Sequence, residues 1–122
     1  MNTSGFLFLH RKILVSEVWN NSPPELLKCW IWMLSQAAWD PEGKIELGCF
    51  YATGENIQEA LAYYAGFVKK MPSMRSIYSY IDGLKKAGMI TSKVCRWEGK
   101  RCLKIRVLNY SDYQGLDVTG DV

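Results

Sequence analysis

A single histidine, His10, stands in the chain. With no second imidazole to share a metal or relay a proton, a structural or surface role is expected for it. The four cysteines, Cys29, Cys49, Cys95 and Cys102, are widely spaced and form no C-x-x-C pair. That spacing speaks against a zinc site and against a disulfide framework, and reduced, partly buried thiols are the simpler reading. No charge-free apolar run approaches the roughly 20 residues that span a bilayer. The opening MNTSGFLFLHRK lacks a basic leader and is broken by His10, Arg11 and Lys12, so no signal peptide and a cytoplasmic location are expected. Phosphate-cradling glycine loops, paired carboxylates and a nucleophile with its base are missing too. Neither catalysis nor a cofactor or metal is expected. Repeats and low-complexity tracts are also lacking.

What the chain does have is an ordinary globular composition. Its 122 residues are 48% hydrophobic and 22% charged, enough for one domain with its own core. The net charge of +3 hides an uneven distribution. Between Tyr64 and Leu108 stand eleven basic residues, opposed only by Asp82 and Glu98, so this segment carries +9. The residues on either side carry −3 each. A basic block of this kind is the electrostatic footprint of a polyanion partner, with a merely solvated face as the bland alternative.

Gly5 to Trp19 begins with a few extended residues. From Leu9 it reads as a short amphipathic helix on Ile13, Leu14, Val18 and Trp19. In NNSPPELLKCWIWMLSQAAWDPEG, Ser22 as N-cap, Pro23 at the first helical position and Glu25 form a capping-box start, and Asp40-Pro41 an end. Leu27, Trp30, Ile31, Leu34 and Ala38 share one face, Leu26, Cys29 and Met33 lie beside it, and Trp32 is further round. A helix this apolar needs two burial partners. Leu26, Cys29, Trp32 and Met33 are therefore the candidate oligomerisation surface of a homodimer or higher oligomer. Lys44 to Leu47 alternates like a half-buried strand, and Cys49-Phe50-Tyr51 is a second extended run. Thr53 is placed to cap a helix through Glu55, Ile57, Ala60, Leu61 and Tyr64. The connector from Tyr64 to Pro72 is longer than a helix-turn-helix turn. Phe67, Val68 and Met71 are expected to pack it down, leaving Lys69 and Lys70 free for phosphate.

The organising stretch is PSMRSIYSYIDGLKKAGMI, Pro72 to Ile90. Ser73 is an N-cap. Met74, Ile77, Tyr78, Ile81 and Leu84 recur on one helical face, Lys85 and Lys86 fall in the last turn, and Gly88 closes the helix. The opposite face carries Arg75, Ser76, Ser79, Tyr80 and Asp82. Two β-forming runs follow, Ile90 to Arg96 and Arg101 to Leu108, around Trp97-Glu98-Gly99-Lys100. A two-residue turn there sets Cys95 opposite Cys102. Leu103, Ile105 and Val107 alternate with Cys102, Lys104 and Arg106, giving one apolar and one largely basic face.

A helix followed by a basic hairpin is the second half of a winged helix-turn-helix. The expected fold is α+β: three to four helices, a C-terminal β-hairpin wing and a short additional strand, over residues 1–115. Residues 116–122 read as a disordered tail or the start of a linker. The candidate DNA-binding residues are Lys69, Lys70, Arg75, Ser76, Ser79, Tyr80, Arg96, Trp97, Lys100 and Arg101. Arg75, Ser76, Ser79 and Tyr80 reach bases or phosphates in duplex or single-stranded DNA, and the lysines and Arg101 hold the backbone. Trp97 either meets a base or folds back onto the domain. The alternative is a module that docks on a replication or host protein through its tryptophans and its apolar helix.

GFLFLHRKIL near the start and NYSDYQ near the end bracket this helix-strand-helix-helix-hairpin order. Together they resemble the N-terminal winged-helix domain of phage replisome organisers, related in architecture to DnaD-type primosome proteins. MPSMRSIYSYIDGLKKAGMI is similar to that family's recognition helix and the turn into its wing. The resemblance covers about Gly5 to Gln114. It implies origin or single-strand binding during phage or plasmid DNA replication initiation, often as an oligomer with helicase-loading partners. Two features depart from the family: the longer connector before Pro72, and a sequence that stops just after the winged domain. The chain reads either as an excised domain or as a small standalone protein.

Overall fold

The computed structural model describes residues 9, 11–37, 46–108 and 110. A 3-10 turn, Arg11–Val15, leads into the four-residue helix α1, Glu17–Asn20, and then α2, Pro24–Gln36. Strand β1, Cys49–Ala52, is followed by α3, Gly54–Ala60, and by a short hairpin of β2, Tyr63–Ala65, and β3, Val68–Lys70. Helix α4, Met74–Lys86, comes next, and β4, Ile90–Trp97, with β5, Lys100–Val107, completes the α+β fold. The main sheet is antiparallel in the order β1-β5-β4, so the strand between α2 and α3 pairs with the C-terminal hairpin.

Local chemistry fixes each end. Thr53 caps α3 reciprocally: its Oγ1 accepts from Asn56 N–H at 3.0 Å, and Asn56 Oδ1 accepts from Thr53 N–H at 2.9 Å. Ser73 Oγ accepts from Ser76 N–H at 3.1 Å and so caps α4. At the other end Gly88 takes φ +73°. Met89 N–H then donates to Leu84 O and Gly88 N–H to Lys85 O, both at 3.0 Å, the two bonds of a Schellman closure. The β4–β5 turn holds both Glu98 and Gly99 at positive φ, as a two-residue type I′ hairpin turn requires.

The register decides what is inside. Phe50 pairs with Ile105 and Ala52 with Leu103, and Ile90 with Val107 on the other side of β5. Because side chains alternate along a strand, these residues share one face, and it closes over α2 and α4. Trp30, Met33, Leu34, Ile57, Ile77, Leu84 and Ile105 are fully buried there. Helix α2 lies close to α4 at Gly83, where an added Cβ would sit 3.4 Å from a Leu26 methyl.

Several sequence expectations change. Helix α2 starts one residue late, with Pro23 at the N-cap and no side-chain cap bond; a proline there has no hydroxyl to offer. The helix capped by Thr53, α3, stops at Ala60, and Tyr64 belongs to β2. The segment after Leu9 is a 3-10 turn plus α1, burying Ile13 and Val18 and leaving Leu9, Leu14 and Trp19 half exposed. Of the strand read over Lys44 to Leu47, Leu47 lies in a turn before β1, while 44 and 45 lie outside the described residues. So do His10, Ala38 with the helix end at Asp40-Pro41, most of the two end motifs, and 115–122.

The oligomerisation surface is also corrected. Leu26, Cys29 and Met33 are buried in the chain's own core, and Trp32 packs edge-on against Phe50 with ring centroids 5.7 Å apart. Both apolar lines of α2 find partners within the chain, in α4 and in the sheet side of the core. Met33→Ala is expected to cost about 2–5 kcal/mol in urea unfolding, the range for opening a core cavity, and to leave the sedimentation mass unchanged. A stability within error of wild type would contradict this placement.

Candidate nucleic-acid interface

Helix α4 supplies the exposed crest of the site. Its buried stripe is Ile77, Ile81 and Leu84. At about 100° per residue, this directs Arg75, Ser79, Asp82 and Lys86 outward. Asp82 and Lys86 pair at 3.1 Å along the helix surface. Arg75, Tyr78, Ser79, Asp82 and Lys85 line one side of an open groove of about 560 Å³, and Ser92 of β4 and Leu103 of β5 line the other. Helical spacing places Tyr78 on the apolar face. It is more than half exposed instead, with its hydroxyl close to Gly54 at the start of α3.

Beyond Ser92 the same sheet face passes through Val94 to Arg96, and two residues before Leu103 it reaches Arg101; the two arginines pair directly across the strands. Among the described residues neither arginine has an ion-pair partner; Arg96 donates only to Gly99 O, at 3.3 Å. Like charges directly opposite each other in a sheet destabilise it. Arg75 and Lys85 likewise have no carboxylate partner among the described residues.

The remaining candidates lie elsewhere. Ser76 and Tyr80 face the other flank of α4, in a groove shared with Glu25 and Lys28 of α2 and with Tyr63 and Met71 at the hairpin base. Burial, and then the nearby Glu25 charge, hold the Tyr80 phenol above its ordinary value, so it remains a neutral donor. Lys69 is paired with Glu59, which accepts its hydrogen bond and raises its affinity for a proton. The pair is exposed, so a phosphate can replace the carboxylate at little cost. Lys70 stands exposed on β3.

Trp97 and Lys100 alternate onto the reverse face of the sheet, away from α4. There Trp97 stacks on Tyr51, with ring centroids 4.3 Å apart and planes 10° from parallel. The indole is thus folded back on β1. On the same face Lys104 and Arg106 both bind Glu46. The hydrogen bond from Lys104, and then the charges of Lys104 and Arg106, hold the Glu46 carboxyl below its usual range. Its contribution is present above the ordinary carboxyl value and is lost as pH falls through the lowered one. The basic face read from alternation exists, but its cations are partly occupied by the chain itself.

The structure therefore brings Arg75 and Ser79 together with the sheet face that carries Arg96 and Arg101. It separates Ser76, Tyr80, Lys69 and Lys70, and it turns Trp97 and Lys100 away. Sequence reasoning missed Tyr78, Lys85 and Ser92 on the groove and the whole β2–β3 hairpin. Its signal was there in YYAGFVKK: two short β-forming runs around a glycine. Gly66, at φ +65°, takes the first central position of a two-residue turn. No protein-family model, no curated protein and no solved structure matches the chain.

The reverse face also holds Cys95 and Cys102 opposite each other, with Sγ atoms 4.0 Å apart. Cross-strand Cα spacings fall inside the range a disulfide spans, so side-chain rotation suffices to bond them. Cys29 is different: burial pushes its thiol up to about 12. Mild oxidation with diamide should join Cys95 to Cys102. Iodoacetamide at about pH 8 should leave Cys29 of the native protein unmodified, because only thiolate reacts. Peptide mapping that finds Cys29 alkylated as fast as Cys95 would sink this assignment.

Proposed function

We propose that the chain is a non-catalytic DNA-binding winged helix-turn-helix module of the phage or plasmid replication-initiation (replisome organiser) kind, working in the cytoplasm. Helix α4 is the helix that enters the major groove, α3 braces it, and β4–β5 is the wing. The element order helix-strand-helix-helix-hairpin, with β1 joining the wing as a third strand, supports this assignment. The resemblance of MPSMRSIYSYIDGLKKAGMI to the replisome-organiser recognition helix adds to it.

The observation that carries the reading is the groove between α4 and the wing. Its rim holds Arg75 and Lys85, and the sheet face beyond it holds the opposed pair Arg96 and Arg101. None of the four is neutralised by a carboxylate among the described residues. A fold that sets two arginines side by side without a counter-ion loses stability unless a polyanion supplies the charge. Ser79 and Tyr78 on the crest add neutral donors between the cations, suited to bases or phosphates. The protein-docking alternative called on the tryptophans and the apolar helix; the core takes up the apolar sides of α2, and Trp97 is stacked on Tyr51.

Fluorescence anisotropy with a short duplex, titrated with salt, tests the assignment. Arg75→Ala should weaken binding by about 1–3 kcal/mol if it reads a base. Arg101→Ala should reduce the salt slope by about one, whatever the sequence. If duplex affinity is unmeasurable even at low salt, the assignment is wrong.

A further inference from the structure

The β2–β3 hairpin is inserted between α3 and α4 and has no core of its own. All six strand residues are exposed, on both faces. Phe67 at the tip is as exposed as in an extended peptide, at 104%, and Tyr64 follows at 69%. The expectation that Phe67, Val68 and Met71 pack the connector down is therefore overturned: all three are solvent-facing. Only a few ties hold the hairpin. Lys69 pairs with Glu59. Lys28 Nζ donates to Leu61 O at 3.2 Å and lies 5.8 Å from the Tyr63 ring centroid.

A two-stranded hairpin without a buried face gains little from its own aromatic residues. Their arrangement suits a ligand instead. Cross-strand pairing sets Tyr63 opposite Lys70 and Tyr64 opposite Lys69, so each tyrosine faces a lysine across the hairpin. Flat apolar groups interleaved with cations match a polymer that alternates flat apolar rings with anions, which is a nucleic acid. The chain runs from β3 through Met71, Pro72 and the Ser73 cap directly into α4. Tyr63 and Met71 share a groove with Ser76 and Tyr80 of that helix.

We infer that the β2–β3 hairpin is a stacking finger for single-stranded DNA: Phe67 stacks on an unpaired base, Tyr64 extends the stack, and Lys70, with Lys69 released from Glu59, holds the flanking phosphates. This rests on the DNA-binding reading of α4 and the wing and adds a second, strand-selective element to it.

The test compares a single-stranded oligonucleotide carrying 2-aminopurine with a blunt duplex, using wild type, Phe67→Ala, Phe67→Tyr and Arg75→Ala. Phe67 touches nothing in the core, so Phe67→Ala should fold normally. It is expected to lose roughly 5- to 150-fold in single-strand affinity, the range for removing one stacked base contact, and to abolish the change in 2-aminopurine fluorescence. Its salt slope and its duplex affinity should stay as in wild type, and Phe67→Tyr should restore the loss. Lys70→Ala should instead reduce the single-strand salt slope by about 0.7.

If Phe67→Ala binds single strands like wild type while Arg75→Ala loses duplex binding, the finger is overturned and the duplex reading stands. A Phe67-dependent single-strand affinity without duplex binding supports the finger and overturns the other. No binding to either DNA overturns both. Phe67-dependent binding to phosphatidylserine vesicles, with DNA binding unaffected, overturns the finger in favour of a lipid surface.

Discussion

The pairing of β1 with β5 is the constraint on which the rest of the arrangement depends. Four residues, Cys49 to Ala52, join a strand from the first half of the chain to the last one. The joint is extended at Gly48, whose carbonyl accepts from Val107 N–H at 2.8 Å. A slip of one residue would turn Phe50 and Ala52 outward and Cys49 and Tyr51 inward. With the register as it is, Phe50, Leu103 and Ile105 are held together on the inner face, α3 begins at Thr53 where the strand ends, and α4 is fixed beneath the hairpin. The groove between α4 and the sheet is a product of that one short strand.

A second constraint acts on the outer face. Tyr51 sits within the same four residues, and its ring gives Trp97 a surface to stack on. A tryptophan at the tip of a basic hairpin invites a role in recognition. Here it braces the β4–β5 hairpin against β1, while the arginines one position earlier and later on the strands project to the other side. Alternation along β4 and β5 thus sets Trp97 with Lys104 and Arg106 on one side of the hairpin and the opposed Arg96 and Arg101 on the other.

Much of this could be read from the residues because the signals were local. Ser73, Thr53 and Gly88 are cap and closure residues, and each acts through neighbours within a few positions. The I′ turn at Glu98-Gly99 and the inner face Leu103-Ile105-Val107 follow the same logic. What escaped was decided by tertiary contact. Tyr78 lies at a position that helical spacing assigns to the core, yet it is more than half exposed beside Gly54 at the start of α3. The apolar circumference of α2 suggested a second copy of the chain, whereas its own sheet and α4 suffice. In the connector, Phe67 and Val68 read as packing residues because an apolar side chain is ordinarily taken to be buried, and no periodicity in so short a run says otherwise.

The hairpin before α4 has a thermodynamic consequence. Three-residue strands with both faces wet, fastened by exposed ion and ring contacts, open at almost no free-energy cost, so their amides belong to the fastest-exchanging class of the fold. In the complex with single-stranded DNA proposed above, binding would order the hairpin. The freedom lost there would appear as unfavourable entropy of association.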